Sequence, residues 1–171
     1  DSLQPTLAPE PAVVETTPEV TEELVVNTTP TIVPTPTLEP SVIVEQVSAL
    51  ASIVNRVNEP SGAIPLLEQT WQNVQNTSGN DRICRTTNRP TIPDDYVVPE
   101  DLAEIIPALA QAQTSINSGL ALLRDGWDLF DSACQNNNLL ARVNPGLTYA
   151  STATTSFESA REALQGIDIG R

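Results

Sequence analysis

The sequence lacks the residue types on which most enzyme chemistry depends. None of its 171 residues is histidine, lysine or methionine, and only two are cysteine. Without histidine there is no Ser–His or Cys–His nucleophile and no imidazole metal site. Without lysine there is no Schiff-base chemistry and no phosphate-binding loop lysine. Carboxylates remain, but they need two acids in one cleft. We therefore expect no enzymatic activity, no cofactor and no bound metal, with a carboxylate-using hydrolase as the weakest alternative.

Positive charge and long apolar runs are also scarce. Eight arginines against 22 acidic residues give a formal net charge of −14. A surface of this sign repels phosphate backbones and anionic lipid, so nucleic acid is not an expected partner. The apolar stretch 42–57 is interrupted by polar side chains, and no segment approaches the roughly 18 apolar residues that cross a bilayer. We expect no membrane insertion.

Proline, by contrast, is abundant and unevenly distributed. Residues 1–40 contain eight of the fifteen prolines, nine threonines and seven acidic residues, but no basic residue. Proline fixes φ and removes hydrogen-bond donors, which favours extended or polyproline II backbone. We therefore divide the chain into an extended, Pro/Thr-rich acidic stalk or assembly arm, residues 1–40, and a helical domain, residues 41–171.

Two interpretations of residues 1–40 stay open. In the first, the segment is a flexible spacer whose threonines accept O-linked sugars. In the second, its β-branched pairs add as strands to a neighbouring subunit. Such pairs are Val13-Val14, Val25-Val26 and Ile32-Val33. The second interpretation makes this segment the place where one copy meets the next.

The cysteines and two short motifs indicate an exported protein. Cys84 and Cys134 can form one disulfide, which requires an oxidising compartment; the alternative is two separate buried thiols. Asn27 and Asn76 each begin the Asn-x-Ser/Thr triplet of N-glycosylation, so both are candidate glycan acceptors. Together with the Pro/Thr-rich segment, these features predict a secreted or cell-surface glycoprotein.

Apolar spacing predicts an all-α fold for residues 41–171. A three/four rhythm over 41–57 and again over 62–76 predicts two short helices, with Ser41 and Ser61 as their N-caps. The same rhythm predicts longer helices over 99–135 and 139–168. Pro107 should bend the first of these, and Pro145 should mark either a kink or a late start in the second.

The helix lengths predict an elongated three-rod bundle. Residues 99–135 make about 55 Å of helix and residues 139–168 about 45 Å at ~1.5 Å per residue. The two short helices match these lengths only when placed in line, so we predict a first rod broken near Pro60. Cys84 then lies at the same end as Cys134. The chain must return from Cys84 to Pro99 along the bundle in extended form.

Three clusters of charged residues are candidate sites. They are the acidic cluster Asp94, Asp95, Glu100 and Asp101; the aspartate row Asp125, Asp128 and Asp131; and the arginines Arg82, Arg85 and Arg89. For the acidic cluster we favour a solvated loop and helix N-terminus over calcium binding. For the row we favour the solvent face of a helix over a sugar-binding face. The arginines either pair with these acids, which we favour, or dock an acidic segment of a neighbour.

Trp71 and Trp127 both fall on the apolar stripes of predicted helices, so we expect them in the core rather than in a ligand site. The sequence as a whole predicts a non-enzymatic extracellular structural protein. In this hypothesis it is a subunit of a surface or filamentous assembly that contacts copies of itself through residues 1–40. The alternative is a stalked monomeric cell-surface module that binds an extracellular protein or glycan through the bundle.

Overall fold

The computed structural model describes residues 39–167, and within this range every regular element is a helix. The helices are α1 (Pro40–Asn58), α2 (Ala63–Asn76), α3 (Arg82–Thr86), α4 (Glu100–Ile105), α5 (Pro107–Gln135) and α6 (Leu139–Gln165). The predicted all-α class is therefore confirmed. Residues 1–38 of the stalk, with the sequon at Asn27, lie outside the described residues, whereas Pro40 already belongs to α1. None of the helices in the described range is both long and apolar enough to cross a membrane.

The helices form the three predicted rods. Val47 of α1 lies beside Leu164, near the end of α6, whereas Gln72 of α2 lies beside Asn144, near its start. α1 and α2 therefore run one after the other along α6 and make the first rod. α5 and α6 are the other two rods, and residues 136–138 connect them as the predicted turn. The break in the first rod falls at residues 59–62, as predicted.

The predicted N-caps of α1 and α2 are wrong. α1 begins at Pro40 with Glu39 as its N-cap, because the fixed φ of proline suits the first position of a helix. α2 begins at Ala63 with Gly62 as its N-cap. Glycine is required there by a close backbone approach, since a Cβ on Gly62 would lie 2.5 Å from the carbonyl oxygen of Val57. Neither helix has a side-chain cap from Ser41 or Ser61.

The expected bend at Pro107 is a complete break between two helices. Ile106, with φ −122° and ψ 82°, separates α4 from α5. A proline disfavours the α conformation in the residue before it, so Pro107 begins α5 instead of bending one long helix. Pro145, however, lies inside α6, which begins at Leu139. A late start of α6 at Pro145 is therefore excluded.

The core lies where the rods meet, and both tryptophans are part of it, as predicted. Trp71 is 0% exposed and Trp127 is 1% exposed. Each makes an edge-to-face contact with Phe130, at ring-centroid distances of 5.6 and 6.0 Å. Gly146 lets the backbone of α6 lie directly against Trp71, because a Cβ on this glycine would overlap the indole.

A disulfide joins Cys84 of α3 to Cys134 in the last turn of α5, with their Cα atoms 5.8 Å apart. The predicted pairing is confirmed. Since both cysteines of the chain are used, neither is available as a nucleophile or a metal ligand. The bond fixes the place from which the following segment starts its return along the bundle.

Candidate functional site

Residues 87–99, called the strap below, return from the disulfide along α5 without regular secondary structure. Their contacts with α5 occur in reverse order. Arg89 contacts Asp128, Tyr96 contacts Asn117, and Val98 then contacts Gln113 nearer the start of the helix. This antiparallel order confirms the extended return that the disulfide and the helix lengths predicted.

Side-chain amides of α5 form hydrogen bonds with the backbone of the strap, as a neighbouring strand would in a β-sheet. Asn117 accepts a hydrogen bond from the Tyr96 N–H and donates one to the Tyr96 carbonyl, both at 2.9 Å. Gln113 accepts a hydrogen bond from the Val98 N–H at 2.6 Å. The Tyr96 hydroxyl donates to Gln46 of α1 at 2.7 Å. The strap, which starts next to the disulfide, therefore also connects α5 to α1 in the first rod.

We predict that Asn117→Ala loosens the strap. The substitution removes two hydrogen bonds to a half-buried peptide group, and at ~1 kcal/mol each the free energy of unfolding should fall by about 2 kcal/mol. Urea unfolding measures this loss, and hydrogen exchange should show faster exchange at the Tyr96 amide. Ser118→Ala is the matched control, because Ser118 is the exposed neighbour on the same helix. Equal stability of the two variants would contradict the role assigned to Asn117.

Ion pairs join the strap to the outer face of α5. Arg89 pairs with Asp128 at 2.6 Å and with Asp131 at 3.3 Å. Arg124 pairs with Asp95 at 2.9 Å and also donates to a strap carbonyl. These groups are a third to two-thirds exposed, so each pair contributes about 0–1 kcal/mol. The predicted pairing of Arg89 with the aspartate row is confirmed for Asp128 and Asp131, which contact the strap.

The acidic cluster is divided between two structural roles. Asp95 faces Arg124, whereas Glu100 and Asp101 lie in the first turn of α4, where the helix dipole favours negative charge. Within residues 39–167, no three side chains of the metal-ligating types come together. The arrangement of these acids gives the calcium interpretation no support.

A groove of about 630 Å³ lies between α2 and α6, and most of the residues that line it are polar. Glu68, Gln72 and Asn144 contribute to it. The hydroxyls of Thr148 and Thr154, which also line it, donate to carbonyls of their own helix. Neither this groove nor three others on the surface of residues 39–167 contains two carboxylates.

The two ends of the bundle differ in charge. At one end, called the α1 end, α1 begins, α4 packs, and α6 finishes. This end comprises residues 39–46, 99–106 and 158–167, which contain seven acidic side chains and one arginine. The hydrogen bond from Tyr96 to Gln46 brings the end of the strap to this place. The α1 end is also the end to which the acidic stalk is joined in sequence.

The opposite end, called the α3 end, comprises residues 76–86 and 132–144. The disulfide joins its two segments, and Leu140 lies against Gly79, where a Cβ would be 2.8 Å from the leucine Cγ. Its charged side chains are three arginines and one aspartate: Arg82, Arg85, Arg142 and Asp81. All four charged side chains are exposed, and Leu140 at the same end is 53% exposed. The α3 end is therefore a positively charged end, with one exposed leucine, on an acidic protein.

The arginines of the α3 end differ in their pairing. Arg85 pairs with Asp81 one turn away, at 3.2 Å. Arg82 and Arg142 form no ion pair with any residue in the range 39–167. Asn76, the candidate glycan acceptor in the described range, is the last residue of α2 and is exposed; its glycosylation stays a prediction.

Sequence reasoning identified the cysteines, the arginines and the aspartates, but missed the amides Asn117 and Gln113. Their signal is faint. Two amide residues one turn apart on a long helix are usually solvent-facing, and only the topology shows that an extended backbone passes over them. In comparisons with known proteins, no protein-family model, no curated protein and no solved structure matches this chain.

Proposed function

We propose that this chain is a non-enzymatic structural subunit of an extracellular or cell-surface assembly, and that residues 1–40 contact neighbouring copies. The proposal depends on one observation: the cysteines and several of the charged side chains in residues 39–167 make contacts that hold the bundle together. Both cysteines form one disulfide, and carboxylates and arginines hold the strap. The grooves named above contain at most one carboxylate each, which supports a structural role over hydrolysis.

The disulfide supports the extracellular part of the proposal. Structural disulfides persist in oxidising compartments and are rare in the reducing cytosol. The bond between Cys84 and Cys134 joins residues 50 positions apart, and a disulfide lowers the entropy of the unfolded chain more when the loop that it closes is longer. A subunit exposed outside the cell benefits from such a restraint because it has no chaperones to refold it.

The composition of residues 1–40 supports their role as the assembly arm. These residues are rich in proline and acidic side chains, a composition that offers little apolar surface for a core of its own. Their β-branched pairs exceed what a solvated spacer needs, and extended segments of this kind bind to partners through backbone hydrogen bonds and side-chain contacts. The arm and the bundle therefore have separate roles, one in contact between copies and the other as the rigid unit.

Removal of the arm tests the proposal. We expect the full chain to show a mass that rises with concentration in sedimentation velocity experiments, whereas residues 41–171 stay monomeric with an unchanged melting temperature. A chain in which residues 1–40 are shuffled, with the same composition and net charge, is the control for nonspecific effects of the arm. Association of residues 41–171 as strong as that of the full chain would overturn the proposal.

The alternative function is a stalked monomeric module, and the groove between α2 and α6 favours it. Gln72, Asn144 and Ser151 give this groove amide and hydroxyl groups of the kind that bind sugars. In this case the full chain stays monomeric at all concentrations, and deletion of residues 1–40 leaves binding to a glycan array intact. The same two chains therefore distinguish the two functions.

A further inference from the structure

The α3 end has the chemistry of a surface that receives an acidic, partly apolar peptide. Arg82 and Arg142 are exposed and have no ion-pair partner among residues 39–167. Leu140, half exposed, lies on the same first turn of α6 as Arg142, and Ile83 of α3 is only partly buried. Guanidinium groups at the same end as an exposed apolar side chain favour a ligand that carries carboxylates next to aliphatic side chains.

The arm contains such a sequence at residues 22–26, Glu-Glu-Leu-Val-Val. Glu22 and Glu23 are the only two acids adjacent to each other within residues 1–40, and three aliphatic residues follow them directly. The arm has no basic residue that would be repelled by the arginines. Residues 22–26 are therefore complementary to the α3 end: their carboxylates match its arginines, and their aliphatic side chains match Leu140.

We propose that the α3 end of one copy binds residues 22–26 of the next copy, and this inference rests on the proposed function. The α1 end, to which the arm is joined in sequence, carries seven acidic side chains against one arginine. Like charges within a Debye length of about 8 Å repel one another, so the α1 end is an unfavourable acceptor for an acidic segment of another copy. The α3 end, at the other end of the rods, is the positive surface.

This placement determines the form of the assembly. The donor segment is joined to one end of the bundle and the acceptor surface lies at the other, so the contact uses two different surfaces. When each copy gives its arm to a further copy instead of exchanging arms with a single partner, this heterologous contact repeats and produces a linear array unless its rotation closes a ring. The array runs head to tail, with each disulfide-strapped bundle as one repeat.

The test uses full-length chains with neutral substitutions on each side of the contact. Arg82→Gln with Arg142→Gln removes the two arginines of the acceptor. The matched control is Arg56→Gln with Arg161→Gln, which removes two exposed arginines elsewhere and gives the same net charge. With each exposed ion pair worth up to about 1 kcal/mol, the acceptor variant should bind roughly tenfold more weakly, whereas the control should match the natural chain.

A mixing experiment then tests contact between copies directly. Glu22→Gln with Glu23→Gln makes a chain with an intact acceptor and a neutral donor, and the acceptor variant has the opposite combination. Near the dissociation constant of the natural chain, each variant alone should be mostly monomeric. Their mixture should form a one-to-one dimer but no longer array, measured by sedimentation velocity. A mixture that stays monomeric while the natural chain associates would overturn docking between copies.

The outcomes separate this inference from the proposed function. If the natural chain, the acceptor variant and the control all associate equally, the α3 end is not the acceptor, although assembly through the arm stands. If the natural chain is monomeric at every concentration, the proposed function itself fails. Association that is lost only in the acceptor and donor variants, and that weakens as salt rises, supports the inference.

Discussion

Replacement of both cysteines by serine should lower the free energy of unfolding by about 4 kcal/mol in the chain-entropy model. The bond joins residues 50 positions apart, and the loop between Cys84 and Cys134 contains the strap, α4 and nearly all of α5. Without it, the unfolded chain gains the freedom of that loop. Since small domains have a total stability of about 5–15 kcal/mol, this loss is a large fraction of the whole.

Urea unfolding of the double variant Cys84→Ser, Cys134→Ser measures the effect. The natural chain in a reducing agent is the internal control and should unfold at the same urea concentration as the variant. Hydrogen exchange should increase first in the strap, because α3 then no longer fixes its start. A loss below about 1 kcal/mol would show that the disulfide adds little to the three rods and their side-chain contacts.

Trp71→Ala should cost about 3–5 kcal/mol, the range found when a large buried aromatic side chain is deleted. Trp71 is fully buried and contacts Phe130 edge to face at 5.6 Å. On its other side lies Gly146, which has no side chain to move into the space left behind. The cavity therefore stays largely open, and its cost adds to the loss of apolar burial.

Trp71→Phe is the matched control for this prediction. It keeps an aromatic ring against Phe130 and removes the indole N–H, which is buried and has no hydrogen-bond partner among residues 39–167. Removal of an unpaired buried donor offsets part of the lost packing, because such a donor costs about 1–3 kcal/mol. We expect Trp71→Phe to retain most of the stability that Trp71→Ala loses. Thermal and urea unfolding of both variants compare them, and equal losses would contradict this account of the core.

The sequence predicted the bundle because helix length and covalent connection are properties of the chain itself. Apolar spacing gave the rods, and the requirement that Cys84 reach Cys134 selected the three-rod arrangement with its return crossover. Two of the predicted local details were wrong. Pro107 breaks the helix instead of bending it, and the capping serines are not used. At these points a neighbouring proline or a close backbone approach at Gly62 decides the geometry, and propensity alone does not show this.

The candidate site was harder to predict than the fold. The arginines around Cys84 were recognised as either intramolecular partners or acceptors of an acidic segment. The structure divides them: Arg89 and Arg85 pair within the bundle, whereas Arg82 has no ion-pair partner among the described residues. Arg142 is far from Arg82 in sequence, and only the hairpin of α5 and α6 brings it to the same end. The difference in charge between the two ends of the bundle therefore cannot be seen in the sequence until the arrangement of the helices is known.

The central claim is that the arm of one copy meets the α3 end of the next, and photo-crosslinking between isotopically distinct copies tests it most directly. A benzoylphenylalanine residue in place of Val25 is introduced into a ¹⁵N-labelled chain, which is mixed with unlabelled natural chain and irradiated. Mass spectrometry then identifies the joined peptides. The account predicts crosslinks from the labelled arm to unlabelled peptides containing residues 76–86 or 139–142. Crosslinks confined to the labelled chain, or to the acidic α1 end of its neighbour, would contradict it.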